Sequence, residues 1–197
     1  MKVGGKHFRT IGLKPGNQSV VQLIDQRFLP HDLVVEEVRT VAQMAMAIRE
    51  MHVRGAGLIG ASAGYGMYLA AIESGRHDEF DENMARAAAQ LSATRPTAVN
   101  LSWAIERQLQ NIAGAKTADE KIAVALRTAE LIADEDAEHC RFIGQHGSKL
   151  IREIAQRKRA PVNVLTHCNA GWLEHDEYES ATAPIYEEHD NRMPEHV

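Results

Sequence analysis

Two arginines and one cysteine lie at positions where their side chains could support chemistry. Arg54 precedes Gly55 and Ala56 at the predicted start of a small-residue helix, and Arg95 precedes a second predicted helix start. A guanidinium can bind a phosphate through paired hydrogen bonds, and the free N–H groups of a first helical turn also bind anions. Both segments therefore fit a phosphate site. Both also fit ordinary loops between helices that carry a surface arginine.

Cys168 lies just beyond residues 162–166, a short apolar and β-branched segment that predicts a buried parallel strand. Catalytic and ligand-binding groups collect at the carboxyl ends of strands in open α/β sheets. A helix that begins just beyond Cys168 would favour its reactive thiolate form, so the thiol could act as an acid, base or nucleophile. A buried structural cysteine is the alternative interpretation. For Cys140, which lies in a helical pattern, we favour packing.

The elements that must position these groups are mostly helices. Residues 7–13 and 19–24 predict a β-hairpin around the turn-forming residues 14–17. Apolar residues at helical spacing predict a small-residue helix just after Gly57 and further helices at 38–51, 81–93, 97–112, 118–133, 135–157 and 180–189.

Particular residues predict how some of these helices begin and pack. Thr117 and Glu120 have the spacing of a capping box, and Thr97 is a candidate N-cap for the helix that follows Arg95. Gly144 and Gly147 indicate a bend or a close contact within their helix. Trp103 and Trp172 are most simply core or loop-anchoring residues.

This order of elements predicts two domains. Residues 1–160 form an N-terminal helical domain with a small β element, and residues 161–197 begin an incomplete Rossmann-like domain. The fold class is α/β overall, but this chain is expected to be mainly α-helical, with a small β-hairpin and the first β-α unit of the Rossmann-like domain. A lone parallel strand needs neighbours for its backbone hydrogen bonds, so we expect an exposed sheet edge and self-association.

Composition excludes several classes of protein. The formal net charge of −5 over 197 residues does not suggest nucleic acid as the main partner.

No signal-peptide core follows the amino terminus, and the longest apolar-leaning stretch, residues 56–71, contains four glycines and is too short for a membrane span. We therefore predict a cytoplasmic protein with reduced cysteines. The histidines form no tight metal motif, and no Walker loop, dinucleotide-binding turn or serine-hydrolase elbow is present.

Five segments in collinear order resemble the methylthioribose-1-phosphate isomerase family, which is related to the regulatory subunits of the translation initiation factor 2B exchange factor. The resemblance covers essentially the whole chain. The segments read IDQ and LPH within residues 24–31, VRGA with IG and YG within 53–66, RPTAVNL at 95–101, IGQHG at 143–147 and LTHCNAG at 165–171.

The resemblance implies an aldose–ketose isomerase of methionine salvage that converts 5-methylthioribose 1-phosphate to 5-methylthioribulose 1-phosphate. It implies no metal or organic cofactor, a small-molecule sugar phosphate as substrate and a homodimer. Cys168 matches the family's catalytic cysteine, which works with an aspartate from later in the chain. Arg54, Gly55, Ala56 and Arg95 match the segments that hold the substrate phosphate. These roles agree with the chemistry, because moving hydrogen between C1 and C2 needs an acid/base pair and a phosphate handle orients the sugar.

The sequence also departs from the family pattern. Gly57 stands where proline is typical, and residues 174–179 are acidic where the family is more apolar. The family continues for well over a hundred residues beyond this endpoint and carries its catalytic aspartate there, and neither Asp176 nor Asp190 matches that motif. We therefore expect weak or no turnover by this chain alone.

Two relatives of this ancestry give alternative functions. One is a non-catalytic, protein-binding subunit like those of initiation factor 2B, although a pure scaffold has no chemical need for Arg54, Arg95 and Cys168. The other is ribose-1,5-bisphosphate isomerase, which the segments at 95–101 and 166–171 match less well.

Overall fold

The computed structural model describes residues 2–3, 6–7, 9–76, 79–167 and 180–190. Within these ranges, short strands occupy the amino-terminal part and helices the remainder. The strands are β1 (Lys2–Val3), β2 (Lys6–His7), β3 (Ile11–Lys14), β4 (Asn17–Ile24) and β5 (Val35–Val38). The helices are α1 (Val41–Arg49), α2 (Ala56–Ser74), α3 (Phe80–Ser92), α4 (Val99–Ile112), α5 (Ala118–Lys158) and α6 (Ala183–Asp190).

The predicted hairpin is present as strands β3 and β4, and β5 extends it to a three-stranded antiparallel sheet in the order β3-β4-β5. Ile11 pairs with Leu23, and Val21 pairs with Val38. These four side chains are buried, so this face of the sheet covers the helices. β1 and β2 form a separate antiparallel pair. The prediction of helix from residue 38 is wrong at its start, because Val38 ends β5 and α1 begins at residue 41.

Helix α2 is the centre of the helical bundle and packs against α1, α3, α4 and α5. Residues 57–71 of α2 are all buried, and a helix that is apolar all round must be covered on every side. Gln108 of α4 ties three helices together, because its Nε2 donates to the carbonyl oxygens of Gly64 in α2 (2.9 Å) and Ala125 in α5 (3.0 Å). The small residues of α2 let these four neighbouring helices pack closely around it.

Helix α5 runs unbroken for 41 residues, so the prediction of two helices is wrong. Ala133, Ala137 and Cys140 continue its buried face through the acidic stretch at residues 134–136. The capping box of Thr117 and Glu120 at its start is confirmed.

The expected close contact at the two glycines of α5 is also present. A Cβ on Gly144 would lie 3.1 Å from the Ala183 carbonyl oxygen, and a Cβ on Gly147 would overlap the ring of Pro184. The glycines let α6 lie directly on α5.

The mainly helical fold with a small antiparallel sheet is confirmed, but the predicted strand at residues 162–166 is wrong. These residues form neither helix nor strand, and Leu165 is 96% exposed. Their backbone has no neighbouring strand with which to pair among the described residues. Every helix in the described ranges is too short or too polar to cross a membrane. The predicted boundary at residue 160 stays a prediction.

Candidate functional site

The first predicted phosphate segment lies where the chain enters α2. After α1, Met51 adopts a positive φ of 62°, and Gly55, the N-cap of α2, has a φ of 96°. Arg54 is partly buried between the fully buried Val53 and Gly55. No side chain caps α2, and its first turn contains no acidic residue. Its first-turn N–H groups and the positive end of the helix dipole therefore favour an anion.

The second segment has the same character at the start of α4. Ala98, and not Thr97, is the N-cap, so the predicted cap is wrong. The reason is a turn in which the Ala98 N–H donates to the Arg95 carbonyl oxygen (3.0 Å), which delays the helix to Val99. No side chain caps α4, its first turn has no acidic residue, and Arg95 is partly buried.

The structure brings these two helix starts together. A Cβ on Gly60, in the second turn of α2, would lie 3.2 Å from both Cβ and the carbonyl oxygen of Asn100 in the first turn of α4. A side chain at residue 60 would press on Asn100, so the glycine permits this close approach. The segments that carry Arg54 and Arg95 therefore lead into adjoining helix starts. By contrast, Thr40 caps α1 and Thr117 caps α5.

A buried polar cluster supports the turn before Arg54. The Nδ1 of His52 lies 2.7 Å from Oε2 of Glu36 and 4.0 Å from Oδ2 of Asp25. The backbone N–H of Gln26 donates to the His52 carbonyl oxygen (2.9 Å), so the end of β4 holds the same turn. The sequence patterns described above do not predict this cluster. Its available signal was that Asp25 and His52 both lie in or beside segments that carry the family resemblance.

The oxygens of Asp25 are already taken by Arg27. The guanidinium donates to Oδ1 (3.0 Å) from Nε and to Oδ2 (2.6 Å) from Nη2, and the Arg27 backbone N–H donates to Oδ1 (3.0 Å). Burial raises the pKa of the Asp25 carboxyl, but these hydrogen bonds and the nearby His52 outweigh burial and hold its pKa below the ordinary value. Asp25, Glu36 and His52 are donor types that a divalent cation accepts. Because Arg27 balances the charge of Asp25, we interpret the cluster as support for the turn.

A cavity of about 330 Å³ opens beside the two helix starts. It lies between α2, α4 and α5, and we call it the apolar groove. Its lining residues are Gly57, Gly60, Val99, Asn100, Trp103, Ile132, Glu135, Asp136 and His139.

One wall of the groove is braced by a stacked ion pair. Trp103 is 46% exposed, so the prediction of a core or anchoring role is wrong. The Arg107 guanidinium lies 5.3 Å from the centre of the Trp103 ring, and its Nη2 donates to Oε1 of Glu135 (2.8 Å). The hydrogen bond from Arg107 lowers the pKa of Glu135, against the opposing effect of burial. The pair therefore links α4 to α5 beside the groove.

Cys168 lies outside the described residues, as does the segment that follows it. Its catalytic role therefore stays a prediction. Cys140 is buried in α5, as predicted.

Comparison with known proteins identifies the family. The model of the initiation factor 2 subunit family matches residues 52–197, which is most of the chain. The chain belongs to this family. The family resemblance found in the sequence is thereby confirmed.

Curated relatives of the chain carry the name methylthioribose-1-phosphate isomerase. The protein of Methylorubrum populi is 46% identical over 197 residues, which are 100% of this chain and 52% of the relative. The protein of Cereibacter sphaeroides is 48% identical over 186 residues, which are 94% of this chain and 49% of the relative. The chain spans about half the length of the curated relatives it matches.

Two solved structures share the fold equally well. Subunit delta of translation initiation factor eIF-2B from A. fulgidus has a TM-score of 0.78 at 37% identity, over 94% of this chain and 52% of that chain. The 5-methylthioribose 1-phosphate isomerase of Pyrococcus horikoshii OT3 has a TM-score of 0.78 at 35% identity, over 93% of this chain and 51% of that chain. The fold of the initiation factor 2 subunit family thus accommodates both kinds of protein.

Proposed function

We propose that this chain supplies the phosphate-binding part of an aldose–ketose isomerase that acts on 5-methylthioribose 1-phosphate. The observation that carries the proposal is the pair of adjoining, uncapped helix starts, each entered through a partly buried arginine. The names of the curated relatives support the choice of substrate.

In this proposal the phosphate accepts hydrogen bonds from Arg54, from the first-turn N–H groups that begin at Gly55 and Ala56, and from Arg95. Two guanidinium groups and two helix dipoles balance the phosphate charge. Holding the phosphate orients C1 and C2 of the sugar and supplies binding energy remote from the reacting bonds. Cys168 then acts as one member of the acid/base pair that moves hydrogen between C1 and C2. The cluster around His52 fixes the turn that presents Arg54.

Three further features belong to the same proposal. We propose that residues 161–197 begin a Rossmann-like domain, although residues 162–166 form no strand here, that the protein forms a homodimer and that it works in the cytoplasm as a methionine-salvage enzyme. The apolar residues exposed along the second half of α5 support an assembled state, because a large uncovered apolar surface favours association. These residues are Phe142, Ile143, Leu150 and Ile154.

Binding of 5-methylthioribose 1-phosphate, measured by calorimetry on the 197-residue chain, tests the proposal. We expect Arg54→Met and Arg95→Met each to weaken binding by about tenfold or more, because each removes charge-assisted hydrogen bonds. Arg49→Met is the matched control, since Arg49 is exposed at the end of α1. It should change affinity by less than about twofold. Equal affinities in all four proteins would overturn the proposal.

The second candidate is a non-catalytic subunit that acts by protein contact, as the equal similarity to the eIF-2B subunit suggests. A scaffold of this kind needs no sugar-phosphate site. Failure of the chain to bind either the sugar phosphate or inorganic phosphate would therefore favour the second candidate over the isomerase.

A further inference from the structure

We propose that the apolar groove binds the 5-methylthio end of the sugar phosphate and so selects the thioether-bearing substrate over the plain ribose phosphate. This inference rests on the proposed function, since it requires the phosphate to lie at the two helix starts. It adds specificity residues, chiefly Val99 and Trp103, to a site otherwise described by its phosphate contacts.

The groove lies beside the proposed phosphate site. The groove includes Gly57 from the first turn of α2, and Val99 and Asn100 from the first turn of α4. These are the same two turns to which Arg54 and Arg95 lead. A ligand whose phosphate meets the first-turn N–H groups can therefore place its other end in the groove. The volume of about 330 Å³ is at the lower end of the range for small-molecule pockets, about 300–1,000 Å³.

The lining of the groove suits a thioether. Val99 is 78% exposed and Trp103 is 46% exposed, while Ile132, which also lines the groove, is only 2% exposed. Covering the apolar surface of Val99 and Trp103 is favourable, and a ligand thioether is well suited to do so. Sulfur is polarizable and makes favourable contacts with aromatic rings. Asn100 and His139 also line the groove and add polar groups that suit the sugar hydroxyls.

The aromatic wall of the groove is held in place. Arg107 stacks against Trp103 and donates to Glu135, so the aromatic wall is fixed to α5 before a ligand arrives. A wall ordered in advance loses less conformational freedom on binding. The same pairing balances the charge of Glu135, which would otherwise repel an anionic ligand near the groove.

Selectivity among three probes tests the inference on the full 197-residue chain. Calorimetry compares 5-methylthioribose 1-phosphate, ribose 1-phosphate and inorganic phosphate. We expect the first to bind about tenfold or more tightly than the second, as apolar-pocket discrimination of this size allows. Because the sequence has only two tryptophans, Trp172→Phe leaves Trp103 as the only source of tryptophan fluorescence. Its emission should change with the methylthio compound and much less with inorganic phosphate.

Substitutions in and outside the groove separate its role from that of the phosphate site. Val99→Asn should reduce the preference for the methylthio compound to less than about threefold, and its high exposure keeps the effect on folding small. Leu131→Asn is the matched control, because Leu131 is an exposed apolar residue of α5 outside the groove lining. Arg54→Met should weaken the binding of all three probes and leave the ratios between their affinities unchanged.

The outcomes are distinguishable. Equal affinity for the two sugar phosphates, or a preference that survives Val99→Asn, overturns the groove inference and leaves the phosphate site in place. Binding of none of the three probes overturns the proposed function and the groove inference together.

Discussion

The bundle around α2 and the carboxyl-terminal half of α5 are both helical but differ in how their apolar residues are covered. In the bundle, residues such as Leu58, Met67 and Leu91 have no exposed surface. Beyond residue 140, α5 packs against α6 on one side, and Leu150 remains 61% exposed. We call residues 141–158 with α6 the arm. Apolar spacing alone predicts a helix, but the number of neighbouring elements decides how strongly the helix is held.

This difference predicts two levels of stability within one chain. Global unfolding must uncover the bundle, whereas the arm can open by losing the contacts of α6. One of those contacts is an ion pair in which Nε of Arg152 lies 2.6 Å from Oε1 of Glu188, whose side chain is buried. Opening the arm returns both charges to water, which limits the cost of separating them.

The largest effect is expected from a cavity in the bundle. Leu91→Ala removes a fully buried side chain whose methyl groups lie against Gly66 of α2. We expect a loss of about 2–5 kcal/mol in the free energy of unfolding, measured by chemical denaturation. Leu150→Ala in the arm is the control and should cost less than about 0.5 kcal/mol. Similar losses for the two variants would show that the bundle and the arm do not differ as described.

Local signals in the sequence predicted local structure well. The capping box of Thr117 and Glu120 needs only residues three positions apart, and the turn between β3 and β4 needs only its own four residues. The start of α4 was misplaced because Thr97 is a better cap than Ala98 by type. The turn closed by the Arg95 carbonyl oxygen decides otherwise.

Features that depend on distant partners could not be read from the sequence. Strand β5 was missed because Glu36 and Glu37 look unsuited to a sheet, yet they pair with His52 and Lys14 from other elements. For the candidate site, the arginine segments were predicted from their place before two helix starts, and the resemblance strengthened that prediction. The groove was not, because the exposure of Trp103 depends on how α2, α4 and α5 meet.

A smaller effect is expected from displacing α6. A Cβ at residue 147 would lie 2.9 Å from Cβ of Pro184 and would overlap its ring, so Gly147→Ala should push α6 off α5. We expect hydrogen exchange at residues 185–190 to accelerate, with a local cost of about 1–3 kcal/mol. The main unfolding transition should remain, since alanine also raises the helix propensity of α5.

A second substitution makes the test of α6 specific. Pro184→Ala removes the ring that the new methyl group meets, so the double variant should recover part of the lost protection. Unchanged exchange in Gly147→Ala, or no recovery in the double variant, would contradict the packing of α6 on α5.

The smallest effect is expected from acid, and it compares a buried carboxyl beside the sheet with a largely exposed carboxyl of α5. The pKa of Asp25 is held below its ordinary value of 3.8, so the folded protein binds fewer protons than the unfolded chain in acid. The resulting stabilisation is complete above that ordinary value and is lost as the pH falls through the lowered pKa. Asp25→Asn should cost about 1–2 kcal/mol at neutral pH and flatten the dependence of stability on pH below about 4.

Glu138→Gln in α5 is the control. Hydrogen bonds from Arg141 also lower the pKa of Glu138, but that pair is largely exposed and screened by solvent. If both variants flatten the dependence of stability on pH equally, the buried carboxyl of Asp25 contributes no more to stability than an exposed carboxyl does.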